Sequence, residues 1–112
     1  MPTRDELTRR VESATQQIVS LQRQLAGMIE ASRGDNADDE HDPEGSTIAF
    51  ERQQLASLLE RLEHSRGDAL HALAELEAGR YGICERCGGQ IAPERLEARP
   101  EARLCIDCAR AR

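Results

Sequence analysis

The sequence predicts a mainly α protein: a long antiparallel two-helix coiled-coil hairpin with an acidic tip, followed by a small four-cysteine zinc ribbon. Three observations carry that expectation. Two apolar stripes recur with spacings that alternate four and three residues, the seam of a coiled coil. A dense run of acidic residues separates them. Near the C-terminus stand two C-x-x-C pairs, Cys84/Cys87 and Cys105/Cys108, with 17 residues between the pairs. The expected division is a hairpin over residues 1–79, with helices at about 4–31 and 47–78 and a tip loop at 32–46, and a zinc-finger module over 80–112.

The first stripe is Leu7, Val11, Ala14, Ile18, Leu21, Leu25 and Met28, and Thr3 with Glu6 offers a capping box at its start. The second is less regular: Ile48, Leu55, Leu58, Leu62, Ala69, Ala72 and Leu76, beginning after Pro43, Gly45, Ser46 and Thr47. Gly79 suits a helix C-cap, while Gly67 and Ser65 weaken the middle of the second helix, Gly67 by about 1 kcal/mol relative to Ala. Neither stripe can stay in water, so the simplest fold closes the helices on each other. A parallel dimer is the competing arrangement, and the connection is long enough to reverse the chain, so a monomer is expected.

Charge is uneven. The net charge is +1 over residues 1–34, −6 over 35–46, −3 over 47–78 and +2 over 79–112, so the loop alone equals the net charge of −6. Asp35, Asp38, Asp39, Glu40, Asp42 and Glu44 concentrate at the hairpin tip, where they call for a cation or a basic surface, or serve only as a solvated turn. The run lacks the alternation and sixth-position Gly of an EF-hand, and an exposed tip has no pocket for carboxylate catalysis. His41, His64 and His71 read as surface positions, with His64 and His71 one heptad apart on the outer face.

Each C-x-x-C pair places two thiolates on one turn, and together they complete a tetrahedral zinc shell with no open position for substrate. One structural zinc ion per chain on Cys84, Cys87, Cys105 and Cys108 is therefore expected, with no catalytic role and no enzyme activity. Disulfides would need an oxidising compartment, yet the N-terminus is charged from Arg4 and offers no signal peptide, so a cytoplasmic protein is expected. A thioredoxin-like pair would need a βαβ context that is missing. Gly88 and Gly89 are expected to supply the positive backbone angles that turn amides toward sulfur. Ile83, Ile91, Leu96, Leu104 and Ile106 are too few for an independent core, so zinc is expected to drive folding. No run of 18 apolar residues exists, which excludes a transmembrane helix. The ribbon's small basic surplus is cancelled by the formal −2 of a tetrathiolate zinc, which argues against direct DNA binding.

From Leu73 through Cys108 the residues Leu76, Glu77, Gly79, Tyr81, Gly82, Cys84, Cys87, Gly88, Ile91, Arg95, Leu96, Glu97, Ala98, Arg99, Pro100, Cys105 and Cys108 resemble the zinc-finger signature of the DksA/TraR family of bacterial transcription factors. The resemblance implies a regulator that binds RNA polymerase directly, inserting its hairpin into the secondary channel without touching promoter DNA. It places the family's Asp-x-x-Asp-x-Ala tip motif on Asp39, Asp42 and Glu44, with Glu44 where the family has alanine. Of three basic positions that serve an alarmone nucleotide in the family, Arg99 matches and the others fall on Asp68 and Ala109, so that set is incomplete; Arg99 remains a candidate polymerase or nucleotide contact. Beside the larger members, the long C-terminal helix is expected to be missing. The competing function is a zinc-stapled coiled-coil adaptor whose acidic loop binds another basic protein.

Overall fold

The computed structural model describes residues 4–34 and 43–111, and the side chains of 4–31 and 47–111. Four helices follow one another: α1 (Arg4–Gly34), α2 (Pro43–Glu77), α3 (Pro93–Ala98) and α4 (Ile106–Arg110). Among the described residues the only β feature is a single antiparallel bridge between Ile83 and Gln90. The ribbon is thus two turns closed by one bridge rather than a sheet.

Asp5 and Glu6 in the first turn of α1 complement the positive end of its dipole. Thr3, the other half of the expected capping box, lies outside the described residues. α2 starts at Pro43 rather than near Thr47, and α1 continues to Gly34, so part of the expected tip loop is helical. Proline at a helix start has its φ preset and gives up an N–H that would have had no partner there, which lets α2 begin at Pro43. α2 ends in a Schellman arrangement: Gly79 takes φ +77, its amide donates to the Leu76 carbonyl at 3.2 Å, and the Arg80 amide donates to the Glu75 carbonyl at 2.8 Å.

α1 and α2 pack together as an antiparallel pair, the first residues of α1 meeting the last of α2 through the ion pair Arg4–Glu77. All seven expected seam residues of α1 are buried or half-buried, led by Leu7 with no exposed surface and Ile18. On α2 the seam differs from expectation. Ile48 and Leu58 are exposed at 41% and 38%, whereas the expected Leu55, Leu62, Ala69, Ala72 and Leu76 turn inward together with Leu59, Arg66 and Leu73. With Ala72 set aside, the inward residues follow the four–three alternation. Arg66 occupies one of its positions, and a charged residue there hides the true register from a search for apolar spacing. Gly67 does not break α2.

The chain forms two compact units, Met1–Ser13 with Ser65–Arg112 and Ala14–His64. In the second, Ala14, Ile18 and Leu21 supply the buried side chains. In the first, the start of α1 and the end of α2 join the cysteine module, whose own core is Cys84, Ile91 and Leu96 with Tyr81, Ala102 and Leu104 packed against it.

Candidate metal centre

Each cysteine pair is held by local backbone geometry. In the first turn the Cys84 amide donates to the Gly89 carbonyl at 2.8 Å and the Gly88 amide to the Cys84 carbonyl at 2.9 Å. Gly88 takes φ +76, which an L side chain rarely adopts. Gly89, expected to share that conformation, does not: its amide donates instead to Cys87 Sγ at 3.4 Å. The second pair sits on α4, where Cys105 is the N-cap and its sulfur accepts from the Cys108 amide at 3.5 Å. A bond from the Glu85 amide to the Arg103 carbonyl, 2.9 Å, ties the two turns together.

The four sulfurs of Cys84, Cys87, Cys105 and Cys108 all lie within 4.8 Å of one another, and all four are free thiols. Cys87 Sγ and Cys105 Sγ are 3.9 Å apart. A regular tetrahedron of sulfurs around zinc, with Zn–S near 2.3 Å, has edges of about 3.8 Å. The four sulfurs are therefore close enough together to hold a four-coordinate zinc ion. Among the described residues no other group of three or more His, Cys, Asp or Glu side chains has this geometry.

The thiols are polarised unequally. Amides of Cys87 and Cys105 directed at Cys84 pull its thiol down to about 6, whereas hydrogen bonding to the Cys105 sulfur, with burial, pushes Cys108 up to about 12. A cation bound by all four sulfurs must displace the Cys108 proton, so binding competes with acid.

Around the centre, side chains anchor the module to the helix ends. Arg103 pairs with Asp68 at 2.9 Å, and Arg10 approaches Glu101 at 3.6 Å. Arg95 donates to the Leu104 carbonyl at 2.9 Å, Arg86 to the Cys108 and Ala111 carbonyls, and the Tyr81 hydroxyl to the Pro100 carbonyl at 2.9 Å. His71, expected on an outer face, is half-buried and meets Glu85, with Glu75 at 3.9 Å. The helical repeat alone could not reveal this, because the ribbon covers a flank that the two-helix seam leaves open.

The remaining sequence-predicted residues are not gathered here. Asp39 and Asp42 lie outside the described residues, and Glu44 falls in the first turn of α2. Arg99 is exposed and 3.9 Å from Glu101, while Asp68 is engaged by Arg103.

Residues 79–112 match the prokaryotic dksA/traR C4-type zinc finger. The chain also resembles the solved structure of transcription factor DksA2 from Pseudomonas aeruginosa, with a TM-score of 0.56 and 28% identity over 92% of this chain and 79% of that one. The likeness thus extends through the helical pair. The dksA/traR-type match is thus confined to the zinc finger, and beyond it the chain is similar to DksA2 in fold. Among curated relatives, the RNA polymerase-binding transcription factor DksA of Escherichia coli is 56% identical over 36 residues, covering 32% of this chain and 24% of that protein. The uncharacterized protein YteA of Bacillus subtilis is 44% identical over 68 residues, 60% of this chain and 28% of that protein, a stretch longer than the zinc finger. The matched stretches thus span about a quarter of these curated relatives' length. The match of residues 79–112 to a C4-type zinc finger and the clustered thiols together mark the cysteine site as a zinc-binding one.

Proposed function

We propose that this protein is a non-enzymatic bacterial transcription regulator that binds RNA polymerase directly, entering the secondary channel with its helical hairpin and making no promoter DNA contacts. The observation that supports this most strongly is the joint presence of the four-thiolate cluster and the antiparallel helix pair, an architecture shared with DksA2 over most of both chains. One zinc ion on Cys84, Cys87, Cys105 and Cys108 closes its own coordination shell, so its role is to hold the module together and not to activate water. The protein acts as a monomer, because a single hairpin is what a narrow channel admits. A chain net charge of −6 disfavours sequence-independent DNA affinity.

Binding and regulation are assigned to different parts. The helix flanks and the zinc module supply affinity. Asp39 and Asp42, in the acidic segment between α1 and α2, act by charge near the polymerase active site. Replacing both with Asn keeps their shape and removes two charges. The double variant is expected to bind purified polymerase within a few fold of wild type yet to lose most of its effect on transcription in a purified assay. Glu44→Ala, which restores the family residue, is expected to strengthen that effect. Unaltered transcription by the double variant would reduce the acidic segment to a solvated turn. Failure to bind polymerase at all would favour the adaptor function.

A further inference from the structure

The zinc module carries a surface feature that the metal does not explain. Beside the cysteine turns lies a cleft of ≈ 530 Å³ lined by Tyr81, Ile83, Gln90, Pro93, Leu96 and Glu97, among others, all from the one compact unit. Its floor is the apolar core itself, since Leu96 and the neighbouring Ile91 are 5% and 3% exposed. At its rim Ile83 keeps 43% of its surface in water although it forms the module's one bridge, with Gln90. Gly82 turns the chain at the floor: it holds φ +85, which L side chains rarely adopt, and a Cβ there would stand 3.4 Å from Leu96 Cδ1.

One charge decides what such a cleft accepts. Glu97 is the sole ionised side chain in the lining, and neither it nor Glu94 on the same helix forms an ion pair with any described residue. Arg95, between them, cannot neutralise this face, because its guanidinium is turned to the Leu104 carbonyl. An apolar floor beside an uncompensated carboxylate complements a large apolar side chain flanked by an Arg or Lys. The lining offers too few convergent polar groups to orient a small polar ligand.

We propose that this cleft is a second docking point for the protein partner, taking a segment in which a large apolar residue stands next to an Arg or Lys. The inference rests on the polymerase-binding function proposed above, and places on the zinc module a contact independent of the acidic segment. Ile83 and Leu96 surround the apolar side chain, and Glu97 pairs with the base in a site partly withdrawn from water, where the charge pair is less screened than on an open surface.

The test measures affinity of the full-length, zinc-loaded chain for purified core RNA polymerase, comparing wild type with Ile83→Glu and Glu97→Arg. Both variants are expected to bind about tenfold more weakly or worse, with Glu97→Gln losing only a few fold, while zinc content and helicity stay those of wild type. Glu97 is exposed and unpaired, so Glu97→Arg keeps the test decisive even where Ile83→Glu disturbs the bridge. Binding by Glu97→Arg within twofold of wild type overturns the cleft assignment and leaves the polymerase-binding function standing. A wild-type chain that does not bind polymerase overturns both. Self-association of the wild type in sedimentation, abolished by Glu97→Arg, would assign the cleft to a second copy and likewise overturn the proposal.

Discussion

Removing zinc is expected to unfold the cysteine module while the helical pair persists. Apart from Cys84 and Pro100, the module's buried side chains are Ile91 and Leu96. At about 1.5–3 kcal/mol for each buried aliphatic side chain, these two contribute roughly 3–6 kcal/mol. A structural zinc in a small module contributes on the order of 10–16 kcal/mol. The apolar core cannot replace that, whereas residues 14–64 have their own buried set in Ala14, Ile18 and Leu21. The chain contains one Tyr and no Trp, so Tyr81, hydrogen-bonded to Pro100 within the module, reports on this region alone. Titration with a chelator should change Tyr81 emission in step with zinc release. Far-ultraviolet circular dichroism should fall only slightly, because α3 and α4 hold 6 and 5 residues against 31 and 35 in α1 and α2. Cys105→Ser should reproduce the metal-free spectra. Native Tyr81 emission after complete zinc removal would refute the argument that metal supplies what the core lacks.

Other outcomes follow from the same geometry. Leu59→Asp should destabilise the helical pair severely and lower its melting temperature, whereas Leu58→Asp, on an exposed position, should change stability by less than about 0.5 kcal/mol in chemical denaturation. A Cβ at Gly67 would meet nothing within 4 Å, so Gly67→Ala should raise unfolding free energy by about 0.5–1 kcal/mol, read from the denaturation midpoint. Burial, with the Glu101 and Glu6 carboxylates nearby, holds the Tyr81 phenol above its ordinary value. Its contribution is therefore full below about pH 10 and lost as pH rises through the folded value, so alkaline melts should show a destabilisation that Tyr81→Phe abolishes. Protons compete for the sulfurs, Cys108 above all, so zinc affinity measured by chelator competition should weaken steadily as pH falls.

What was legible in the sequence divides along physical lines. The cysteine spacing anticipated the sulfur cluster because ligand geometry is local to two short turns and tolerates little variation. The α1 seam was readable because every one of its positions is apolar. The α2 seam was readable only in part: Leu55, Leu62, Ala69, Ala72 and Leu76 turn inward as expected, but Arg66 stands in the seam and Leu58 lies next to the true seam residue Leu59. Periodicity finds a stripe only where side chains are apolar, and it cannot register a charged residue that stands half-buried in the seam. The roles of His71, Asp68 and Glu101 were hidden for another reason. Each depends on the ribbon folding back on the helix ends, a tertiary contact between residues up to 91 positions apart, as in Arg10 and Glu101. The cleft was equally out of reach. Ile83, Leu96 and Glu97 read as ordinary core and surface residues until the turn at Gly82 brings them to one opening.

The central claim is that the hairpin enters the polymerase secondary channel, and Phe50 gives direct access to it. Phe50 stands on α2 near the acidic segment and is 63% exposed, so a photoreactive benzoylphenylalanine at that position should leave packing undisturbed. Irradiated with core RNA polymerase and mapped by mass spectrometry, this variant is expected to crosslink to residues lining the passage to the active site. Crosslinks confined to the outer surface of the enzyme, or none under conditions where other proteins are captured, would contradict the account.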